Sequence, residues 1–300
     1  MAERKGIYFV DEPINTVGIG KTPDYVNVLS ESPRYEDGFS EMIHRHSNYT
    51  HCRRVGEIAQ NLLFYAATQL PFIQREEFLA EQSVLVDFFA AHHDDDEIYR
   101  TDFPSDAKFR WTEEEKKENQ RLEAIAIRKV GKEYLKLNDE EQARYEKYMQ
   151  LYREKEIFAA QIVDMADKLD ALGEVFHELR CGNKDFIRAY QYYRDEKLPA
   201  FDQQYGLWGY IKDDPYIQIG SLPSDEEVLK MPQLSKEDLK SRETIMQDID
   251  APSLPIWYRT WLKMSMNLLG PKPQPEFHLF PGWKTELGRK WNQQEQVDIV

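Results

Sequence analysis

The sequence predicts an all-α protein in which a helical bundle is followed by a C-terminal segment of different composition. Apolar residues recur at spacings of three and four through most of residues 39–197, which is the period of a helix with one buried face. Cap and stop residues divide this stretch into separate helices. The chain has 300 residues, enough for one large domain or for a domain with an appendage.

The composition excludes several classes of protein. The formal net charge of −15 argues against duplex nucleic acid as a partner, because binding to a duplex requires clustered Lys and Arg. The two cysteines, Cys52 and Cys181, are too few for a disulfide framework. No apolar run approaches the length of a membrane span, and the first residues do not resemble a signal peptide. We therefore expect a cytoplasmic protein without a membrane partner.

Residues 1–39 are predicted to form an irregular N-terminal segment, because prolines and glycines interrupt them repeatedly. Residues 18–22 resemble the end of a phosphate-binding loop. The full pattern, however, requires a glycine where Asn15 stands, and Pro23 follows at once. We therefore assign no phosphate loop to this segment.

The first core helix is predicted within residues 39–70. His51 shares one helical face with five apolar residues, namely Val55, Ile58, Ala59, Leu62 and Ala66. The spacing places His51 on the inward side of the helix. Two interpretations remain for a buried histidine of this kind: a core residue bonded to a carbonyl, or a metal ligand.

The second core helix is predicted to start within a break at residues 71–83 and to run to His93 or slightly beyond. His93 lies one turn after Phe89, so the apolar face of the helix ends in a histidine followed by three aspartates. Burying an imidazole and carboxylates is costly unless a cation compensates them. His93 and Asp94 would offer that cation one nitrogen and one oxygen ligand. The alternative is a helix end with a solvated acidic turn.

A loop is predicted from Tyr99 to Lys108, since Pro104 lies among Ser and Asp neighbours. Helix start signals follow at Thr112 and Asn138. The charge runs of residues 112–150 indicate solvent-exposed helix faces.

A long helix is predicted over residues 154–180, and Gly182 suits the left-handed conformation that ends many helices. Its apolar stripe consists of Met165, Leu169, Leu172, Phe176 and Leu179. Acidic residues are expected on its other faces, namely Asp164, Asp167, Asp170 and Glu174. Asp167 lies beside the stripe. A further helix is predicted over residues 184–197, with Pro199 as its stop signal.

Residues 200–300 differ in composition from the bundle because they are rich in Pro, Trp and Tyr. Short helices are predicted at residues 235–249 and 255–269. We expect this extension either to pack on the helical core of residues 40–199 or to mediate homo-oligomer formation.

Three separate segments thus carry four residues of metal-ligand type. His51 lies on one helix, His93 and Asp94 end a second, and Asp167 lies on a later one. Two nitrogens and two oxygens from separate helices suit a bundle that gathers a metal in its core. This order, His, then His-Asp, then Asp, is the signature of the HD-domain metal-dependent phosphohydrolases, and the sequence resembles them.

The resemblance is closest to the bacterial 5′-deoxynucleotidases of that superfamily. Residues 93–104 (HDDDEIYRTDFP) resemble, without gaps, their block HDASExxxGDLP. Residues 163–172 resemble their final helix, in which an Ala-Asp pair supplies the last ligand. Residues 50–56 resemble their first motif, a His followed four residues later by Val. The chain departs from the family at Thr101, where the family has glycine.

The resemblance implies a divalent metal held by four side chains: His51, His93, Asp94 and Asp167. Mn²⁺, Co²⁺, Fe²⁺, Zn²⁺ or Mg²⁺ would serve, and two neutral imidazoles favour a transition metal. It implies catalytic proton handling by Glu97 and Asp102. Lys108 falls where the family has a lysine and is expected to bind substrate phosphate. Arg45 is a candidate for the family's substrate-binding arginine.

Three functions follow as expectations. The first is a 5′-deoxynucleotidase that releases phosphate from deoxynucleoside monophosphates. The second is a triphosphohydrolase that releases tripolyphosphate from deoxynucleoside triphosphates, such as dATP, on the same scaffold. The third is a non-enzymatic interaction protein with a structural metal, in which the aromatic C-terminal segment docks a partner.

Overall fold

The computed structural model describes residues 22–31, 47–70, 72–100, 111–205, 208–211, 222–231, 251–252 and 254–268, together with Thr16 and Ile19. This described part consists of helices and connecting segments without a β-strand, which confirms the all-α prediction. None of its helices is both long enough and apolar enough to cross a membrane.

In chain order, the α-helices of the described part are α1 (Pro23–Glu31), α2 (Asn48–Thr68), α3 (Phe72–His92), α4 (Glu113–Glu133), α5 (Asp139–Glu154), α6 (Phe158–Arg180), α7 (Ile187–Gln191), α8 (Leu198–Gln204), α9 (Trp208–Ile211), α10 (Asp225–Lys230) and α11 (Ile256–Leu268). Two 3₁₀ turns (Asp95–Ile98 and Lys184–Phe186) and a π-helical turn (Tyr192–Lys197) connect some of them.

The centre of the bundle is formed by α2, α3 and α6, which pack against one another. Helix α6 is buried on nearly all sides, so its acidic residues do not have a solvent face available to them. Asp170 and Glu174, expected from the sequence on faces away from the apolar stripe, are 0% and 1% exposed. A buried carboxylate needs partners, and those partners define the site described below.

Helix ends follow the cap chemistry of the sequence. The Ser47 side chain accepts a hydrogen bond from the backbone of Thr50 and starts α2. Thr112 and Asn138 each form a capping box, which confirms the predicted start signals of α4 and α5. These caps fix where each helix begins and therefore which residues face the core.

Several boundaries differ from the predictions. Residues 72–83 are already helical, since α3 begins at Phe72. Helix α6 begins at Phe158 rather than at residue 154, because α5 extends to Glu154 and Lys155 takes a left-handed conformation with φ 54°. The stretch 184–197 comprises a 3₁₀ turn, α7 and the π-helical turn. Pro199 does not end a helix; it occupies the first turn of α8, where its missing N–H is not needed.

Helix α1 corrects the expectation that residues 1–39 are irregular throughout. Pro23 occupies its first position, where a fixed φ suits a helix. The Thr22 hydroxyl caps it by accepting from the Tyr25 backbone at 3.2 Å. Proline therefore starts this helix instead of breaking it.

The described part of the C-terminal extension lies on the bundle. Helix α11, which matches the helix expected at residues 255–269, packs against α2 and α6. The helix expected at residues 235–249 lies outside the described residues.

Candidate metal centre

Two imidazole nitrogens face each other at the centre of the bundle. His51 Nε2 on α2 lies 3.0 Å from His93 Nε2 at the end of α3. His51 Nδ1 lies 2.6 Å from Asp170 Oδ2, and His93 Nδ1 lies 3.1 Å from the Ala90 carbonyl oxygen. Carboxylate and carbonyl oxygens only accept hydrogen bonds, so both Nδ1 atoms carry the proton. In the neutral rings, the lone pairs on Nε2 therefore point at each other.

Two carboxylates meet the same nitrogens. Asp94 Oδ2 and Asp167 Oδ1 each lie 3.3 Å from His51 Nε2. Asp94 Oδ1 lies 3.4 Å from His93 Nε2. All four residues that the sequence proposed as metal ligands are thus buried at one point, although they come from three separate segments.

These distances are those expected between two ligand atoms that bind the same metal ion. Ligand atoms about 2.1 Å from one cation lie roughly 3.0 Å apart in octahedral geometry and roughly 3.4 Å apart in tetrahedral geometry. Two opposed lone pairs and two carboxylates repel one another unless a cation lies between them. The donor set therefore fits a divalent metal that accepts nitrogen and oxygen ligands.

A second layer of charge supports His51. Arg54 donates to Asp170 from Nε at 2.6 Å and from Nη2 at 2.9 Å, and it also donates to Glu174. The Trp261 indole N–H of α11 donates to Asp170 Oδ1 at 2.7 Å. Asp170 and Glu174 also form a possible metal-binding group with His51. Because the Arg54 guanidinium already bonds to both of these carboxylates, we assign this group to an ion-pair network and not to a second metal site.

The charges of this layer keep both aspartates ionised. Burial by itself raises the pKa of the Asp170 carboxyl, but Arg54 and His51 outweigh it and hold that pKa well below its usual value. Burial by itself also raises the pKa of the Asp167 carboxyl, but the Lys168 ammonium outweighs it and keeps that pKa well below its usual value. Ionised Asp170 acts as the acceptor that orients the His51 ring, an arrangement frequent behind metal-binding histidines.

Glu97 lies in the 3₁₀ turn that follows His93 and Asp94. The buried Asn48 amide donates to Glu97 Oε2 at 2.8 Å, which fixes the carboxylate beside the start of α2. The Asn48 side-chain oxygen is buried and has no hydrogen-bond partner among the described residues. Glu97 is thus bonded to a residue one helical turn before His51 and is not itself one of the four clustered side chains.

His92 faces away from this cluster. Its Nδ1 lies 2.8 Å from Asp95 Oδ2, and the Tyr25 and Tyr145 hydroxyls donate to the same carboxylate at 2.5 Å each. Burial, followed by the charge of Asp95, raises the pKa of both tyrosines well above 10. This network links α1 and α5 to the end of α3 and so anchors the segment that carries His93.

Arg45, Asp102 and Lys108, which the resemblance associates with substrate and catalysis, lie outside the described residues. The chain is anchored just before residues 101–110. Arg100 Nη1 lies 3.0 Å from Asp96 Oδ2 and 3.4 Å from Oε1 of Glu123 on α4.

Sequence reasoning missed three contributors to the site: Asn48, Arg54 and Trp261. Arg54 lies three residues after His51 and so shares its face, which was a readable signal. Asn48 lies one turn before His51 and shares the same face, so it could have been found in the same way. Trp261 left no such signal, since it lies 91 residues from the carboxylate that it contacts.

The helical bundle is similar to a known protein family. The model of the YfbR-like 5′-deoxynucleotidase family matches residues 37–204, more than half of the chain. Comparisons with curated proteins and with solved structures found no match. The matched range contains the four clustered side chains and Glu97, and this family requires a divalent metal. The chain therefore belongs to the YfbR-like 5′-deoxynucleotidase family, and it is an HD-type metal-dependent phosphohydrolase.

Proposed function

We propose that the protein hydrolyses deoxynucleoside 5′-monophosphates to the deoxynucleoside and inorganic phosphate, with a divalent metal held by four side chains: His51, His93, Asp94 and Asp167. The observation that carries this proposal is the convergence of these donors on His51 Nε2, which lies 3.0 Å from His93 Nε2 and 3.3 Å from an oxygen of each aspartate. Asp94 also lies 3.4 Å from His93 Nε2. The name of the matched family supplies the substrate class. Two neutral imidazoles favour Mn²⁺, Co²⁺, Fe²⁺ or Zn²⁺ over Mg²⁺.

When bound, the cation neutralises phosphate charge and lowers the pKa of water. In the reaction, a water oxygen attacks phosphorus, the bond between phosphorus and the 5′ oxygen breaks, and that oxygen gains a proton. Glu97 accepts the proton that the water loses, and Asn48 holds the carboxylate in place through the 2.8 Å hydrogen bond. By resemblance, Asp102 takes part in the proton transfer, and Arg45 and Lys108 contact the substrate.

The test is a panel of deoxynucleoside and ribonucleoside mono-, di- and triphosphates, assayed with each of the five metals. Chromatography of the products separates the two phosphohydrolase alternatives. Inorganic phosphate from a deoxynucleoside monophosphate supports the proposal. Tripolyphosphate from a deoxynucleoside triphosphate would replace it with the triphosphohydrolase.

Glu97→Gln tests the proton role. The variant should bind Mn²⁺ as tightly as the wild type, while kcat falls by roughly 10²- to 10⁴-fold, the usual contribution of a general base. Glu77→Gln is the matched control, since Glu77 is an exposed glutamate of α3. Full activity of the Glu97 variant would remove Glu97 from the mechanism.

A further inference from the structure

Two lysine ammonium groups from separate elements lie beside the candidate metal centre, and a third, that of Lys197, is close enough for its charge to repel that of Lys168. Lys155 follows α5, Lys168 lies on α6, and Lys197 ends the π-helical turn. Lys168 Nζ donates to Asp167 Oδ2, while Oδ1 of the same carboxylate faces His51. The lysine cluster thus begins one carboxylate away from the proposed ligand atoms.

Tyr152 brings Lys155 to the same place. Lys155 Nζ lies 3.0 Å from the centroid of the Tyr152 ring, and that ring lies 6.1 Å from the His93 ring. Lys155 also has a left-handed backbone with φ 54°. Such a conformation is common where a helix ends, and Lys155 is the residue that ends α5.

The charges of this cluster do not balance. Asp164 Oδ1 lies 3.7 Å from Lys155 Nζ and 4.0 Å from Lys168 Nζ. Asp167 is the other carboxylate that acts on all three lysines, and in the proposed function it is committed to the metal. Among the described residues, the three ammonium groups then share the Asp164 carboxylate. A partly buried excess of positive charge is costly unless an anion compensates it.

Exposure agrees with this account, and so do the pKa shifts of Lys155 and Lys197, whereas Asp167 and Asp164 raise the pKa of Lys168. The Lys155 and Lys168 side chains are 19% and 16% exposed, so water screens their charges only in part. Burial lowers the pKa of Lys155 to about 8. Burial, followed by the Lys168 ammonium, also lowers the pKa of Lys197.

We propose that Lys155, Lys168 and Lys197 form an anion subsite that holds the phosphate group of the nucleotide while another oxygen of that phosphate faces the metal centre. The inference rests on the proposed function. A tetrahedral phosphate presents oxygens in several directions at once, and lysine binds phosphate as a compact point charge. The subsite would draw an anionic substrate to one place on a chain whose net charge is −15.

The test is calorimetric titration of inorganic phosphate into the Mn²⁺-loaded protein. Lys155→Gln and Lys197→Gln should each weaken phosphate binding roughly tenfold, through the loss of one charge-assisted contact. Mn²⁺ affinity should stay unchanged. Lys197→Arg should keep phosphate binding. Lys132→Gln is the matched control, since Lys132 is a 57% exposed lysine paired with Asp139 at 3.9 Å.

Wild-type phosphate affinity in both glutamine variants would refute the subsite; should Lys155→Gln fail to fold, Lys197→Gln decides alone. If the lysines are needed for phosphate binding but the protein hydrolyses no nucleotide, the subsite is supported and the proposed function is contradicted. If the protein hydrolyses nucleotides but binds phosphate without the lysines, the proposed function is supported and the subsite is refuted.

A second, independent observation concerns helix α11, which lies beyond the matched residues 37–204. Its Trp261 is buried and donates to Asp170 Oδ1 at 2.7 Å. The same indole ring lies 5.0 Å from the guanidinium carbon of Arg54. Gly173 of α6 makes the room, because a Cβ at that position would overlap the indole ring.

We infer that Trp261 is a positioning residue of the metal centre, so that the C-terminal extension completes the site. Asp170 orients His51, and Trp261 fixes the Asp170 carboxylate and packs on Arg54. Outer partners of this kind influence metal affinity because they restrict the orientation of the ligands.

Trp261→Phe removes the N–H donor and keeps an aromatic ring. We expect Mn²⁺ affinity to fall roughly tenfold, the low end for outer-shell partners. Trp257→Phe is the matched control. Trp257 is buried one turn earlier on the same helix, and its indole N–H has no hydrogen-bond partner among the described residues.

A purely structural role would lower the melting temperature of both variants and leave Mn²⁺ affinity intact, and that result would overturn the inference. Gly173→Ala provides a second route, since it displaces the ring without changing it. It should weaken Mn²⁺ binding, whereas Gly56→Ala, whose Cβ would lie 3.6 Å from Ala90 Cβ, should not. Because metal binding is read directly, these outcomes do not depend on which nucleotide is hydrolysed.

Discussion

Asp170→Asn is the sharpest test of how the second layer supports the metal centre. The fully buried carboxylate accepts hydrogen bonds from His51 at 2.6 Å, from Arg54 at 2.6 and 2.9 Å and from Trp261 at 2.7 Å. An asparagine of the same shape has one accepting oxygen, so its amide N–H₂ must face at least one of these donors. At the Oδ2 position the N–H₂ group removes the acceptor of His51 and Arg54 Nη2, and at the Oδ1 position it removes the acceptor of Arg54 Nε and Trp261. In either orientation the side chain that fixes the His51 tautomer loses two of its four hydrogen bonds.

We expect Mn²⁺ affinity to fall by roughly 10- to 100-fold, the usual cost of losing a partner of a metal-binding histidine. That loss corresponds to about 1.4–2.7 kcal/mol. The metal-free variant should also be less stable by about 1.5–3 kcal/mol, the value of a hydrogen bond to a charged group.

The assay is calorimetric titration of Mn²⁺, together with urea unfolding of the metal-free protein. Asp87→Asn is the control, since Asp87 is exposed on α3 and bonded to Gln60. A folded Asp170→Asn protein with wild-type Mn²⁺ affinity would refute the claim that this carboxylate orients His51.

Three further predictions follow from the same contacts. Removing the metal with a chelator should lower the unfolding temperature, because a ligand at 100 times its Kd adds about 2.7 kcal/mol to the stability of the folded state; equal melting curves with and without Mn²⁺ would contradict this. Tyr145→Phe should cost about 1.5–3 kcal/mol in urea unfolding, since its hydroxyl donates to the buried Asp95 carboxylate; a loss below 0.5 kcal/mol, roughly that of a surface substitution, would not fit. Between pH 8 and 10.5 the unfolded chain keeps the Lys155 proton that the folded protein releases, because burial lowers the pKa of Lys155 from 10.5 to about 8. The free energy of unfolding should therefore rise with pH across this window more in the wild type than in Lys155→Met, and equal slopes would contradict the assignment.

Local chemistry made much of the fold predictable. Helical spacing placed His51 on the inward face of α2, and the cap residues Thr112 and Asn138 marked the starts of α4 and α5. These signals depend on neighbours within one turn, so a linear sequence contains them. Pro23 and Pro199 were wrongly interpreted as residues that interrupt or end a helix, because proline is also favoured in the first turn of a helix.

The separate roles of Asp167 and Asp170 could not be read from spacing. Both are acids of α6, less than one turn apart, and both approach His51. Asp167 Oδ1 lies 3.3 Å from its Nε2, and Asp170 Oδ2 lies 2.6 Å from its Nδ1. Which carboxylate meets which nitrogen depends on how α2 and α6 cross, and a helical pattern does not encode that crossing.

The main helices of the bundle, the inward histidine and the types of donor atom could be read from the sequence alone, because periodicity, capping and ligand chemistry are properties of short stretches. Three contacts depend on the packing of the chain: the approach of two Nε2 atoms to 3.0 Å, the meeting of Lys155 and Lys168 at Asp164, and the hydrogen bond from Trp261 to a carboxylate 91 residues away. Those contacts arise from the packing of α2, α3, α5, α6 and α11, and packing joins residues that are far apart along the chain.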